Sequence, residues 1–441
     1  MKPNIIFLTI DSLRLDRIFT KNKSAMIPNI EKLIDSGIFF DHAISTSDAT
    51  GLSLGSIFAS MYPFKSGITH YKWNSKIHNC FDVLKENNYT LFSTVPDVSF
   101  FLKQTSKFDF NHHYTYDKRA NWKQLTGGIG ETIIDDLKSH EKFQPWFHLI
   151  HLMDLHGPFY LPLEFDKEEF GKTKYDRMIS YIDTWIGKIL QIVDSSNTIL
   201  IISADHGDYI PLYENLNEIK IPSFLKKSKK FLPVNMTDRI LDKIQTTKRS
   251  TKIKKLDKNL SSDQLRTLHE RAGEFLFDEL IRIPLIISGI NLPNMKISNL
   301  VRQVDIFPTL FDLIQINNTL DSIDGRSLMP LIKNDSLNEE PAYIESGART
   351  HRELGQVIGF RTSTHKYVRS RNSPKENVQL YDLKNDPDEK LNLALSNTKL
   401  VKEMETTLQK IRGELNEDLP DNYSDSETKE IENELRKLGY I

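Results

Sequence analysis

Short, wholly apolar runs that break off at an acidic residue set the tightest limit on how this chain can fold. Asn4-Ile-Ile-Phe-Leu-Thr-Ile10 stops at Asp11, and Thr198-Ile-Leu-Ile-Ile-Ser203 leads into Ala204-Asp205-His206. Thr90 to Thr94, Phe147 to Leu152 and Ile283 to Ser288 are of the same kind. Such runs fit strands covered on both faces, and all fall far short of the roughly 18 apolar residues of a membrane span. Helix-like stretches lie between them: Asn29 to Ser36, Asn79 to Asn88, Tyr175 to Val193 and Asp305 to Ile314. The alternation predicts an α/β fold, a mostly parallel sheet flanked by helices. Chemistry in such sheets collects beyond the carboxyl ends of the strands, which directs attention to Asp11 and to Asp205-His206.

Near residue 335 the pattern changes. Ala342 to Glu345, Gln356 to Arg361, Lys366 to Arg369 and Val378 to Tyr381 read as short strands joined by polar turns, and a helix is expected over Thr398 to Arg412. The 441 residues exceed one ordinary domain. The expected division is a main domain over 1–335, a small α+β subdomain with an antiparallel sheet over 336–412, and an acidic tail over 413–441. Within the main domain, 209–268 loses apolar periodicity and becomes basic, with Lys226, Lys227, Lys229, Lys230, Lys252, Lys254 and Lys255 among its charges. This insertion is either a solvated face or a lid that collects an anionic substrate, and 223–258 would suit a peripheral contact with an anionic surface.

Composition removes several classes. The single cysteine, Cys80, leaves no disulfide framework and no thiolate zinc site within one chain. A formal net charge of −2 gives no reason to expect nucleic acid as a partner, and 39% apolar residues exclude disorder of the whole chain. The first apolar run is short and ends in Asp11 with no cleavage-like site, so it reads as a buried strand and the protein as cytoplasmic. No transmembrane segment is expected, and the oligomeric state stays open.

Were the strands ending at Asp11 and Asp205 neighbours, two carboxylates and the His206 imidazole would converge. That set of donors suits a hard-to-borderline divalent cation. A capping turn is the competing reading of Asp205-His206-Gly207.

The wider pattern resembles the sulfatase branch of the alkaline phosphatase superfamily. The stretch from Asn4 to Asp16 is similar to that family's opening strand, and Pro28 to Phe40 to its first helix and next strand. Thr198 to Gly207, Phe277 to Ile287, Val304 to Leu310, Asp324 to Leu331 and Leu380 to Leu393 resemble later family segments, in the family's order. The resemblance implies a metal-dependent hydrolase in which Asp11, Asp205, His206 and Thr50 hold one divalent cation. Ca²⁺, Mn²⁺ or Mg²⁺ is expected there, with Zn²⁺ admissible.

The nucleophile position departs from the family. Sulfatases carry a Cys or Ser, oxidised to formylglycine, in a Cys/Ser-x-Pro-x-Arg pattern. Register from Tyr62-Pro63 places that position on Thr50, in Thr50-Gly51-Leu52-Ser53-Leu54, where the proline and arginine are absent. Threonine cannot yield formylglycine. Phosphate-handling branches of the superfamily use a plain hydroxyl, so Thr50 is expected to be both nucleophile and metal ligand, at the start of a helix over Gly51 to Ser60. The competing reading is a Thr that merely caps that helix.

Further assignments follow from the resemblance. His156, in His156-Gly157-Pro158, takes the place of the family histidine that contacts the transferred group or the leaving oxygen. Arg271 stands where sulfatases have an anion-binding Lys, and Lys65 is a second candidate for substrate binding. The family's Lys-Trp-His run is replaced by Val95-Pro96-Asp97-Val98. His151 reads as a core residue or as one supporting a ligand from behind, and the Asp109 and His113 pair as structural. The expected function is cleavage of a phosphate or phosphonate ester, an anionic substrate, through a Thr50 covalent intermediate. Three alternatives stand beside it: a sulfatase working without formylglycine, a phospho-group transferase, and a non-catalytic anion-binding homologue.

Overall fold

The computed structural model describes residues 2–20, 23–69, 72–115, 124–157, 159–209, 275–289, 291–347 and 356–413. The main sheet is built from β1 (Asn4–Ile10), β2 (Ile38–Ile44), β3 (Thr90–Pro96), β4 (Phe110–Tyr114), β5 (Trp146–Leu152), β6 (Thr198–Ser203), β7 (Arg282–Gly289), β8 (Met295–Ile297) and β9 (Val301–Arg302). Its order is β4-β3-β5-β1-β6-β7-β2-β8, with β9 also paired to β2. Every residue of β1, β5 and β6 is buried, as expected of central strands covered on both faces.

The central pairings of β1 with β5 and β6 are parallel, so three carboxyl ends meet at one edge. β7 runs against both β6 and β2, and two reversals leave β2 parallel to β6. The carboxyl end of β2 therefore faces the same edge as that of β1. From it the chain enters α2 (Thr50–Ala59), in which Gly51 to Ala59 are all buried. Helix α1 (Pro28–Ser36) and the long helix Lys174–Ile192 pack together, joined by the Asp183 carboxylate, which accepts the Ile30 N–H at 2.7 Å.

A second sheet, β10 (Ala342–Glu345), β11 (Val357–Arg361), β12 (His365–Ser370) and β13 (Gln379–Asp382), is antiparallel throughout. Its apolar face meets the helix Thr398–Arg412 through Leu408, and meets Tyr62, Phe64 and Val304 of the main region. Both sheets belong to one compact unit. The basic insertion beyond Tyr209, and the tail beyond Gly413, lie outside the described residues. Among the described residues no helix is long and apolar enough to cross a membrane.

On the opposite face from the strand-end site, a buried imidazole pair makes stability depend on pH. His140 Nε2 and His148 Nδ1 lie 3.0 Å apart, and His148 Nε2 lies 2.9 Å from Thr94 Oγ1. Burial lowers His140 to about 4, and burial together with the His140 charge holds His148 well below its ordinary value. Between pH 6.5 and about 4 the unfolded chain takes up protons that the folded pair refuses. Stability is therefore expected to fall as the pH drops below the ordinary histidine value of 6.5. Urea midpoints for the wild type at pH 7 and pH 5 should differ by more than those of His140→Gln. Equal differences would remove the pair from the explanation.

Candidate active site

Strand register explains how the site assembles. Thr9 on β1 lies level with His151 on β5 and with Ser203 on β6. Two residues further on, Asp11 and Asp205 leave their strands level with each other and on the same face, because side chains alternate along a strand. Asp11 N–H still donates to Leu152 O at 2.8 Å, so the ladder holds up to the functional residue. Asp11, His151 and Asp205 are wholly buried, and one donor atom from each falls within 4.8 Å of the others.

The turn beyond Asp11 is held under strain. Ser12 adopts φ 63°, a left-handed conformation that costs a side-chain-bearing residue about 1–3 kcal/mol. That conformation aims its N–H at Asp205 Oδ1 (3.1 Å), and its hydroxyl donates to Asp11 Oδ1 (2.6 Å). Tyr175 fastens the turn from the long helix. Its hydroxyl donates to Ser12 O at 2.6 Å and accepts from Arg14 N–H at 3.0 Å.

Thr50, the first residue of α2, brings its Oγ1 within 3.1 Å of Asp11 Oδ2 and 3.4 Å of His206 Nε2. His206 Nδ1 lies 2.7 Å from Gly207 O, an atom that can only accept. Nδ1 therefore carries a hydrogen, and Nε2 is the nitrogen turned toward Thr50 and Asp205 Oδ2, the latter at 3.5 Å.

The electrostatics are those of a cation site. Burial opposes ionisation of Asp11, yet the nearby His151, His206 and His156 imidazoles hold its carboxyl well below the usual range. Asp205 is raised, by burial and by the Asp11 charge beside it. Asp205 Oδ2 is buried and has no hydrogen-bond partner, an expensive arrangement that a bound cation would remove. Two carboxylates, two imidazole nitrogens and a hydroxyl oxygen are the donor types a divalent metal takes. The residues present fit such an ion.

The predicted residues separate into two groups. Asp11, Thr50, Asp205 and His206 are brought together, and His156, half-buried after β5, is near enough for its charge to act on Asp11. Lys65 is not brought there. It lies beyond the far end of α2, which is about 15 Å long, and pairs with Asp324. Arg271 lies outside the described residues. Asp109 accepts from Leu91 N–H at 2.9 Å and from Lys85 Nζ at 3.0 Å, a structural role as expected.

Sequence reasoning underrated His151 and missed Ser12, Tyr175 and the neighbours of the Ser45–Ala49 loop. The 2.7 Å contact between His151 Nδ1 and Thr9 Oγ1 fixes its ring, and His151 Nε2 stands 3.8 Å from Asp11 Oδ2. The histidine's place just before the end of β5 was its one available signal. The small sheet also reaches this loop. Glu345 N–H donates to Thr46 O and Gly347 N–H to Asp48 Oδ1, each at 2.8 Å. A Cβ on Gly347 would stand 2.3 Å from that of Ala49, so only glycine permits the approach.

Known proteins agree with this architecture. Arylsulfatase K of Rattus norvegicus is 30% identical over 126 residues, covering 27% of this chain and 22% of that protein. The Ulvan-active sulfatase of Formosa agariphila is 21% identical over 401 residues, 84% of this chain and 61% of that protein. The chain thus matches less than two thirds of the length of either relative. In fold it is similar to the phosphonate monoester hydrolase of Agrobacterium radiobacter, with a TM-score of 0.67 at 14% identity, covering 94% of this chain and 96% of that one. The family model described as N-sulphoglucosamine sulphohydrolase, C-terminal, matches residues 271–414. The Sulfatase family model matches residues 3–316, most of the chain and all of the strand-end cluster, and the protein belongs to the sulfatase family.

Proposed function

We propose that the chain hydrolyses a phosphate or phosphonate ester through a covalent ester on Thr50. The observation that carries this reading is the placement of Thr50 Oγ1 at the start of α2, 3.1 Å from Asp11 Oδ2, where formylglycine cannot form. Asp11, Asp205 and His206 would hold one divalent cation together with Thr50, and His151 stands beside them. Bound there, the cation would supply Lewis acidity, making the Thr50 hydroxyl a competent nucleophile at neutral pH. Imidazole nitrogens among the donors suit Zn²⁺, while the two carboxylates suit Mn²⁺, Mg²⁺ or Ca²⁺.

The chain's own residues then divide the work. The hydrogen bond from Thr50 to Asp11 Oδ2 orients the attacking oxygen, whose proton passes to water as the new bond forms. An Oγ1–phosphorus bond forms as the bond to the leaving oxygen breaks, and His156 donates a proton to that oxygen. Water then gives a proton to His156 and attacks phosphorus, and the Oγ1–phosphorus bond breaks as Thr50 regains a proton from solvent. The N–H groups of the first turn of α2 would suit the anion as it turns over.

Purified protein loaded in turn with Mn²⁺, Zn²⁺, Mg²⁺ and Ca²⁺ should cleave aryl phosphate esters or phosphonates faster than aryl sulfates. Sulfate turnover above phosphoester turnover would replace this reading with the second one, a sulfatase without formylglycine. The sulfatase relatives support that second reading. Asp205→Asn should weaken Mn²⁺ binding at least tenfold in equilibrium dialysis, and unchanged binding would remove Asp205 from the ligand set.

A further inference from the structure

We infer that Gln303 is a positioning residue that locks the two halves of the site together. The inference rests on the reading of Asp205 and Thr50 given above. Gln303 directly follows β9, whose residues Val301 and Arg302 pair in parallel with Ala43 and Ile44 of β2. That short pairing delivers the amide to the edge where β2 and β6 end. Gln303 is 1% exposed, and every polar atom of its side chain is engaged.

The three contacts fix the amide's orientation. Nε2 donates to Asp205 O at 2.7 Å and to Ala204 O at 3.1 Å, while Oε1 accepts the Thr46 N–H at 3.1 Å. Carbonyls can only accept and a backbone N–H can only donate, so no flipped assignment satisfies them. One side chain therefore ties the main chain carrying Asp205 to the loop that enters α2 at Thr50. Ser45 Oγ also lies 2.8 Å from Asp205 O, with Ser47 O at 2.6 Å competing for its one hydrogen. The Gln303 donor on that carbonyl sets the backbone from which the Asp205 carboxylate projects. The Thr46 contact holds the other half in register.

Two variants separate the halves of this function. Gln303→Met keeps the bulk and loses all three hydrogen bonds. Gln303→Glu keeps an acceptor for Thr46 but sets a carboxylate against two carbonyls. Both are measured for thermal unfolding, for Mn²⁺ affinity by electron paramagnetic resonance of the free ion, and for deuterium uptake at the Thr46 amide. Both should bind Mn²⁺ about tenfold or more weakly, the usual cost of losing a group that orients a ligand. Uptake at Thr46 should rise at least about tenfold in Gln303→Met and change little in Gln303→Glu.

Wild-type Mn²⁺ affinity in both folded variants would overturn the inference, and so would unchanged uptake at Thr46 in Gln303→Met. If Gln303→Met fails to fold, Mn²⁺ affinity in Gln303→Glu decides. A wild-type protein that binds no Mn²⁺ overturns the metal reading of Asp205, and uptake at Thr46 then decides whether Gln303 still braces the loop.

Discussion

Thr50→Ala is expected to lower kcat by about 10⁴-fold or more, because a covalent mechanism without its nucleophile retains only what binding and electrostatics supply. Thr50→Ser, which keeps a hydroxyl at the same Cβ, should retain most of the activity. The residue's surroundings make this a sharp test. Its Oγ1 faces Asp11 and His206, and its backbone begins a helix whose other nine residues are buried, so the Ala variant should keep its fold. Brief incubation with an aryl phosphate, followed by acid quench and peptide mass analysis, should find one phosphoryl group on the peptide holding Thr50. Turnover by Thr50→Ala at the wild-type rate would end the nucleophile assignment. Turnover without a trapped ester would leave Thr50 as a ligand and point to direct attack by water.

The second large effect lies away from the chemistry. Lys366→Met is expected to destabilise the fold by about 3–5 kcal/mol, the usual cost of breaking a buried charge network from one side. Lys366 is 1% exposed on β12, with Nζ 2.7 Å from Asp278 Oδ1, 2.5 Å from Glu389 Oε1 and 2.9 Å from Leu276 O. Arg361 pairs with Asp278 from the next strand, with Nη2 at 2.9 Å from Oδ2. Burial and the Asp278 charge lift Glu389 to about 7 even with Lys366 in place. Without the ammonium, Glu389 should be held still higher and take up a proton more readily as the pH falls. The destabilisation of Lys366→Met relative to wild type should therefore be smaller at pH 5.5 than at pH 7.5. Urea unfolding at the two pH values measures this. A loss below about 1 kcal/mol at pH 7.5 would mean that Arg361 alone satisfies the cluster.

Several features were legible in the sequence for clear physical reasons. Strands buried on both faces must be apolar throughout, so β1, β5 and β6 stand out, and the acidic residues after β1 and β6 mark where they emerge. The antiparallel sheet was readable from its polar turns, and the helix Thr398–Arg412 from its apolar spacing. Thr50 was located by its distance from Tyr62-Pro63, and the structure brings it to Asp11 and His206.

Other features left no local trace. Lys65 resembled a substrate contact because positive charge near a nucleophile is suggestive, but a ten-residue helix separates the two. Glu389 falls in a stretch, Asp386-Pro387-Asp388-Glu389, that reads as an exposed acidic turn, yet it is 3% exposed and anchors a buried lysine. β9 is two residues long, too short for any periodicity, and it is what carries Gln303 to the site.

By itself the sequence determined which segments become strands, where they end and which residue types wait there, because burial on both faces and the break to polar residues are local properties. Strand order and direction were decided only in three dimensions. The reversed β7 turns β2 to face the same edge as β1, and that brings Thr50 to Asp11 across 39 positions of sequence. The same packing made His151 a neighbour of two carboxylates and gave Gln303 two strand ends to join, since whether a buried polar group meets a partner depends on elements the chain reaches only after folding.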